Sequence, residues 1–469
     1  MMMKTWLLIS LALCLPLGAA LAQKKPRGNA QPKRAAQANK QSKIFPYTYY
    51  IDDLSNGLRL VTVPTDFPNL VSVYTVVQTG SRNEVEPGKS GYAHFFEHLM
   101  FRGSKNFTAD ERDEVLKRAG ASTNASTWDD RTVYYATFSK EDLPKVLELE
   151  ADRFQRLQYA EPEYKTEALA VLGEYNKSIS DPSEKLYEAL RETAYKNHTY
   201  SHTTLGYLKD IQDMPNQYDY SWKFYNRYYR PEYTTILIVG DVTHEQALAL
   251  TKKYFGEWKR GDFQPDIPPE PAQTEPREAH VDWPSQTLPQ VVVAFRGPAY
   301  SDEVKDKAAL ALLAPLAFGE NSDLYQRLVL KEQKVDALDI SFPDQIDPEL
   351  FYVQARVKEE KDVPSIRDQI LATYKKYATE LVPQDKLDAT RARQRYSVAL
   401  SLNSSDAIAR TLAPYIGLRR TPESMNKLFA LYGQITPEDI RAIAAKYFKD
   451  TNRTIVTLSA KPSNKEGGN

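Results

Sequence analysis

The sequence is almost devoid of cysteine. Its 469 residues contain one, Cys14, which lies inside an apolar N-terminal run. If that run is removed as a signal peptide, the mature chain has no thiol, which excludes disulfides and cysteine-based catalysis. The run is also short for a membrane span, so we expect no stable insertion into a membrane.

Residues 1–22 have the features of a secretory signal peptide. Lys4 supplies the positive charge, residues 6–17 form the apolar segment, and residues 20–22 are a small-residue cleavage site. An uncleaved membrane anchor is the alternative. Export of a chain without cysteine fits the periplasm of a Gram-negative bacterium, where disulfides are permitted but not required.

Acidic residues are missing from the N-terminal segment. Residues 1–43 carry eight lysines and arginines and no acid, whereas the rest of the chain has 53 basic against 62 acidic residues, a balance of −9. A mildly acidic body argues against nucleic-acid binding. Residues 23–43 have too little apolar surface to fold, so we predict a disordered basic leader there.

Histidine is scarce as well, with six in the chain, yet two of them fall in one short motif. His94, Glu97 and His98 form H-x-x-E-H, the inverse of H-E-x-x-H. Two imidazoles four residues apart lie on one face of a helix and can bind one metal ion. Glu97 falls near the same face, where a carboxylate can take a proton from a metal-activated water. Two histidines hydrogen-bonded within a core are the alternative.

Other polar residues are less informative by composition alone. Glu167 and Glu174 are seven residues apart on a predicted helix and therefore share a face, but exposed glutamates are common. His198 and His202 are also four apart, without a glutamate in the motif position. We interpret these two histidines as loop or surface residues.

The second half of the chain repeats the pattern of the first. Residues 288–295 are similar to the β-rich run at 69–77, and 444–458 are similar to the helix and strand at 224–239. This self-similarity predicts an α+β protein made of two homologous α/β domains, each an antiparallel-rich sheet covered by helices, joined by a linker. The second copy has no histidine pair, so a single half can be catalytic.

With these motifs the chain resembles the inverzincin zinc metallopeptidases, the pitrilysin and mitochondrial-processing-peptidase family. The resemblance implies one Zn²⁺ per chain, held by His94, His98 and a distant glutamate, here Glu174, with one position open for water. It implies that Glu97 is the general base. Glu167 is grouped with it as a catalytic candidate, orienting a ligand or adding negative charge.

The resemblance also implies a substrate strand and a partner. The main chain at Asn124 and Ala125 would pair with an extended, unfolded peptide. Active members also use an arginine and a tyrosine, but Val329 and Asp336 stand at those positions here. We therefore expect a clamshell-forming dimer that encloses a chamber. A homologous zinc-less subunit would supply the missing pair, and a homodimer is the alternative.

The predicted function is thus a periplasmic zinc endopeptidase. A zinc-retaining, non-catalytic binding or assembly subunit is one alternative, and a different zinc hydrolase on the same scaffold is another. The predicted domain organisation is a signal peptide (1–22), a disordered leader (23–43), an N-terminal zinc-bearing peptidase domain (44–260), a proline-rich linker (261–278), a homologous non-catalytic domain (279–460) and a disordered tail (461–469).

Overall fold

The computed structural model describes residues 43–461. These residues belong to one compact unit, Ser42–Asn469. The predicted signal peptide, nearly all of the predicted leader, Cys14 and the tail beyond Lys461 lie outside the described residues. Within residues 43–461, no helix combines the length and the apolar character that crossing a membrane requires.

The first half contains six strands and eight α-helices within the described range. In chain order these are β1 (Tyr50–Asp53), β2 (Arg59–Pro64), β3 (Leu70–Val77), α1 (Tyr92–Leu99), α2 (Ala109–Arg118), β4 (Ser122–Thr127), β5 (Thr132–Ser139), α3 (Leu143–Arg156), α4 (Glu161–Ser178), α5 (Pro182–Ala194), α6 (Leu208–Asp213), α7 (Tyr218–Tyr228), β6 (Thr234–Gly240) and α8 (His244–Phe255).

The second half contains β7 (Arg277–Trp283), β8 (Gln290–Arg296), α9 (Lys305–Phe318), α10 (Asp323–Tyr325), β9 (Val335–Ser341), β10 (Leu350–Val357), α11 (Val363–Thr379), α12 (Gln384–Ser401), α13 (Ser405–Arg419), α14 (Glu423–Gln434), α15 (Pro437–Tyr447) and β11 (Arg453–Ala460). A π-helical turn, Gln326–Lys331, continues α10. Single 3₁₀ turns lie at Ser81–Asn83, Lys140–Asp142, Thr199–Ser201, Met214–Asn216, Pro231–Tyr233, Glu360–Asp362 and Asp450–Asn452.

The second sheet repeats the strand order of the first without its edge strand β1, which confirms the predicted α+β fold with two similar halves. The first sheet has the order β1-β2-β6-β3-β5-β4 and the second has β7-β11-β8-β10-β9. Each contains one parallel pair, β2 with β6 and β7 with β11, among antiparallel neighbours. Residues 261–276 connect the halves without regular structure, and β7 begins at Arg277, inside the predicted linker.

The first sheet is buried on both faces, and one covering helix comes from the second half. On β6, Ile236 and Ile238 face the core formed with the helices of the first half. The alternate residues Leu237 and Val239 face a different core, to which α13 contributes. An uninterrupted apolar strand is typical of a sheet covered on both sides.

The second sheet receives a helix from the first half in return. On β8, Val292 and Ala294 pack against Leu186 and Leu190 of α5. The intervening β8 residues Val291 and Val293 face the helices of their own half. Each half therefore buries an apolar sheet face of the other.

A buried polar network joins the halves at the turn between β4 and β5. The Asp129 carboxylate accepts hydrogen bonds from Arg191 Nη2 (2.9 Å) and from Gln345 Nε2 (2.7 Å). Asp130 Oδ2 accepts from the main-chain N–H of Ile346 (2.6 Å). Because Gln345 and Ile346 belong to the second half, that half fixes the end of the β4–β5 hairpin.

Replacing Arg191 by methionine should lower the free energy of unfolding by about 3–5 kcal/mol, because Asp129 would remain as a buried charge without its guanidinium. Chemical denaturation at neutral pH measures this change. The control is Arg118→Met, since Arg118 is 80% exposed and pairs with Glu114 at 3.8 Å; its effect should stay below about 1 kcal/mol. Equal effects of the two substitutions would contradict the structural role of the network.

Candidate metal centre

The helix that carries the motif begins at a position that requires glycine. Gly91, just before α1, has φ +89°, and a Cβ there would lie 2.5 Å from the carbonyl oxygen of Leu205. The Glu84 carboxylate accepts hydrogen bonds from the N–H groups of Gly91 (2.7 Å) and Ala93 (2.6 Å). A carboxylate at a helix N-terminus satisfies free N–H groups and complements the helix dipole. The start of α1 is therefore fixed.

Three of the predicted site residues come together. His94 and His98, on α1, have their ring centroids 4.9 Å apart. The Nε2 atoms of His94 and His98 lie 3.7 Å and 3.4 Å from Oε2 of Glu174 on α4. His94 is buried, His98 is half-buried and the Glu174 side chain is 47% exposed, so the cluster opens towards solvent beside Glu174.

This donor set fits a zinc ion. Two imidazoles and one carboxylate form the three-ligand set of catalytic zinc sites, and two ligands of a tetrahedral zinc are about 3.3 Å apart. The three donor atoms lie within 4.8 Å of one another. Burial lowers the pKa of His94 to about 4, which keeps that imidazole neutral, as a metal ligand must be.

Glu97 lies on the same helix and is held by a residue of the neighbouring strand. The Thr127 hydroxyl, at the end of β4, donates a hydrogen bond of 2.6 Å to Glu97 Oε2. Burial raises the pKa of the Glu97 carboxyl, and the hydrogen bond from Thr127 opposes that rise. A carboxylate that is partly desolvated and held by a donor has the properties of a positioned base.

Glu167 lies beside the cluster rather than within it. Its Oε2 is 3.4 Å from His98 Nδ1, on the opposite side of the ring from Glu174, and its Oε1 contacts the Arg102 guanidinium. Glu167 is buried, so Arg102 supplies the opposite charge that it needs. Such a carboxylate fixes the orientation and tautomer of a metal-binding histidine.

The predicted substrate strand lies at the edge of the first sheet. β4 pairs with β5 on one side and is the last strand in the sheet order. Asn124 is exposed, whereas Ala125 is buried. The N–H of Ala125 donates to the side-chain Oδ1 of its neighbour Asn124 (2.9 Å). A peptide carbonyl that pairs with this N–H therefore has to displace the Asn124 side-chain oxygen.

The interpretation of His198 and His202 as surface residues is wrong. Both are buried, at 3% and 4% exposure. His198 Nε2 lies 2.9 Å from Asp347 Oδ2 in the second half, and His202 Nδ1 lies 3.8 Å from Glu84 Oε2. They do belong to an irregular segment, but the second half and the loop before α1 cover it.

Two residues of the site had no place in the sequence-based prediction. Thr127 is two residues after Ala125, so strand alternation would have put it on the same face. Arg102 follows His98 by four residues, but α1 ends at Leu99 and a helical spacing does not apply. Strand alternation could therefore have placed Thr127 on the face of the metal centre, whereas no pattern in the sequence indicates the position of Arg102.

Comparisons with known proteins match both halves. A family model described as insulinase (peptidase family M16) matches residues 60–207. A second, described as the peptidase M16 inactive domain, matches residues 217–394. The chain is 32% identical to the zinc protease PqqE of Helicobacter pylori over 411 residues, which cover 86% of this chain and 91% of that protein.

Two further comparisons also match peptidases. The chain is 25% identical, over 87% of its length and 90% of the other, to a probable mitochondrial-processing peptidase subunit beta of Schizosaccharomyces pombe. The crystal structure of a protease from Helicobacter pylori aligns with a TM-score of 0.82 at 31% identity, covering 89% of this chain and 100% of that one.

Zinc should stabilise the chain through the three-residue cluster. At a free zinc concentration of 100 times the dissociation constant, we expect about 2.7 kcal/mol of stabilisation, measured as a rise in the melting temperature. Glu174→Gln should remove most of this rise, because the anionic ligand is lost. The control Glu114→Gln changes an exposed glutamate of α2 and should show the same zinc-dependent rise in melting temperature as wild type. An equal rise in wild type and Glu174→Gln would show that Glu174 does not bind the ion.

Proposed function

The chain belongs to the M16 family of peptidases, and on this premise we propose that it is a zinc-dependent endopeptidase that cleaves unfolded peptides in a chamber between two subunits. The observation that carries the proposal is the convergence of His94, His98 and Glu174, with Glu97 on the same helix as the two histidines. Helix α1 thus carries two metal ligands and a base, and α4 carries the third ligand.

The catalytic roles follow from the positions of these groups. Zinc held by the three ligands would provide a Lewis acid for the peptide carbonyl and for water. Glu97 would take a proton from the attacking water and later give it to the leaving amine. The Thr127 hydroxyl holds the Glu97 carboxylate, so the base has its orientation before the substrate arrives.

Glu167 supports the site through His98. Its carboxylate is shared between His98 Nδ1 and the Arg102 guanidinium, which prevents the imidazole from rotating. We therefore assign Glu167 a positioning role and leave proton transfer to Glu97.

The substrate would bind as an additional strand along β4. Main-chain pairing with an edge strand is largely independent of sequence, which suits an enzyme that acts on unfolded peptides. Ala125 provides a main-chain N–H at that edge, once the Asn124 side chain has moved away.

The proposed partner supplies groups that this chain does not provide at the expected positions. Val329 lies in the π-helical turn and packs against the core of the second half. Asp336, on β9, forms an ion pair with Arg356, accepting a hydrogen bond of 2.6 Å from its Nε. A carboxylate cannot stabilise an oxyanion, so a homologous zinc-less subunit with an arginine and a tyrosine would complete the site.

We place the enzyme in the periplasm on the strength of residues 1–22, whose composition is that of a cleavable signal peptide. Because residues 23–469 contain no cysteine, the mature chain cannot form disulfides under the oxidising conditions of the periplasm.

Replacing Glu97 by glutamine should lower kcat by about 10²–10⁴-fold, because the amide cannot accept the proton from water. Zinc content, measured by atomic absorption, should not change, since Glu97 is not a ligand in the proposal. Glu114→Gln, the exposed control, should cleave as wild type does. Retention of full cleavage by Glu97→Gln would eliminate Glu97 as the base.

The zinc-loaded chain alone should cleave an unfolded peptide poorly. Mixing it with a homologous subunit that carries the arginine and tyrosine but no zinc motif should raise kcat by about 10²–10³-fold. This is the factor in kcat that removal of one oxyanion donor usually costs. Full activity of the lone chain would favour a homodimer with other donors. Zinc binding without cleavage in either preparation would favour the non-catalytic binding subunit.

A further inference from the structure

A cavity lies on the face of the proposed substrate strand that is opposite the metal centre. It has a volume of about 310 Å³ and is lined by residues of β3, β4, β5, the β4–β5 turn and α13. Its lining includes Tyr74, Ser126, Trp128, Arg131, Tyr135 and Arg410. The metal cluster does not contribute to this cavity, because α1 packs against the opposite face of β4.

The pairing register of the strands separates the two faces. Thr127, which holds Glu97, faces α1, as does Tyr134, whose hydroxyl donates to the Phe96 carbonyl oxygen. Ser126 and its β5 partner Val133 point to the other side, where the cavity lies. Alternation therefore assigns the cavity to every second residue of a peptide that extends along β4.

The cavity contains a buried positive charge that no carboxylate neutralises at close range. Arg131 is 8% exposed, and its guanidinium stacks over the Trp128 ring at 5.1 Å. Across residues 43–461, no carboxylate oxygen approaches this guanidinium within the 4.0 Å of an ion pair. Burial of a cation without a paired anion is costly, so the site is prepared for an anionic group.

The three aspartates whose charges act on Arg131 have hydrogen-bond or ion-pair partners of their own. Asp129 pairs with Arg191 at 2.9 Å, and Asp344 pairs with Lys307 at 3.2 Å. Asp130 accepts hydrogen bonds from Tyr200 and from the Ile346 main chain.

The second arginine of the cavity differs from Arg131. Arg410, on α13, forms an ion pair with Asp406 one helical turn earlier. Asp406 also accepts a hydrogen bond of 2.8 Å from the Tyr74 hydroxyl. Arg410 is thus neutralised in place, and Arg131 is the cation that remains for a ligand.

We propose that this cavity is a specificity subsite that takes an aspartate or glutamate side chain of the substrate, within two residues of the cleaved bond, by an ion pair with Arg131. The inference rests on the proposed function, since it assumes a peptide paired with β4. The rings of Tyr74 and Tyr135 line the same cavity, and such apolar surface beside an ion pair lowers the local dielectric and strengthens the pair.

The test uses the zinc-loaded enzyme with its partner and a mixed peptide library, with products identified by mass spectrometry. Wild type should prefer an acidic residue over the matching amide at one position near the cut by about tenfold, as expected for one charge-assisted hydrogen bond. Arg131→Gln should bring that ratio close to one, and Arg131→Lys should restore part of it. Arg118→Gln, which changes an exposed arginine of α2 outside the cavity, should keep the preference of wild type.

Cleavage without an acidic preference, or a preference that Arg131→Gln leaves intact, would overturn the subsite and leave the peptidase proposal standing. Binding provides a readout that does not require catalysis. The Glu97→Gln chain is titrated with labelled peptides that differ by one glutamate-to-glutamine change, and anisotropy is recorded. Tighter binding of the glutamate peptide that is lost with Arg131→Gln supports the subsite even if no preparation cleaves, whereas equal binding overturns it.

Discussion

The architecture depends on the reciprocal burial of two sheet faces. α13 of the second half covers the first sheet, and α5 of the first half covers the second. Both sheets then have apolar residues on two sides, as the runs Ile236 to Val239 and Val291 to Ala294 require. The candidate metal centre lies on the face of the first sheet that the helices of the first half cover, and α13 of the second half packs on the opposite face.

This support is continuous with the candidate site. The turn after β4 is hydrogen-bonded to Gln345 and Ile346, and β4 itself ends at Thr127, whose hydroxyl holds Glu97. The same turn carries Arg131, which stacks on Trp128 and lines the cavity below. One hairpin therefore connects the base, the edge that would bind peptide and the second half of the chain.

Much of this arrangement could be predicted from the sequence, and the rest has identifiable reasons. The α+β class and the similarity of the halves followed from repeated strand and helix patterns and are confirmed. The spacing of His94 and His98 placed both on one helical face, whereas Glu174 was singled out by family resemblance, since an exposed glutamate has no distinctive local pattern. His198 was misjudged because residues of the other half, distant in sequence, decide its burial.

The same limit applies to charge. Whether Arg131 is neutralised depends on which partners three neighbouring aspartates already have, and those partners come from both halves. The position of α13 also constrains substitutions in the second half. Its buried face packs on the sheet that bears β4, so a change of volume there would be felt at the edge strand of the other half.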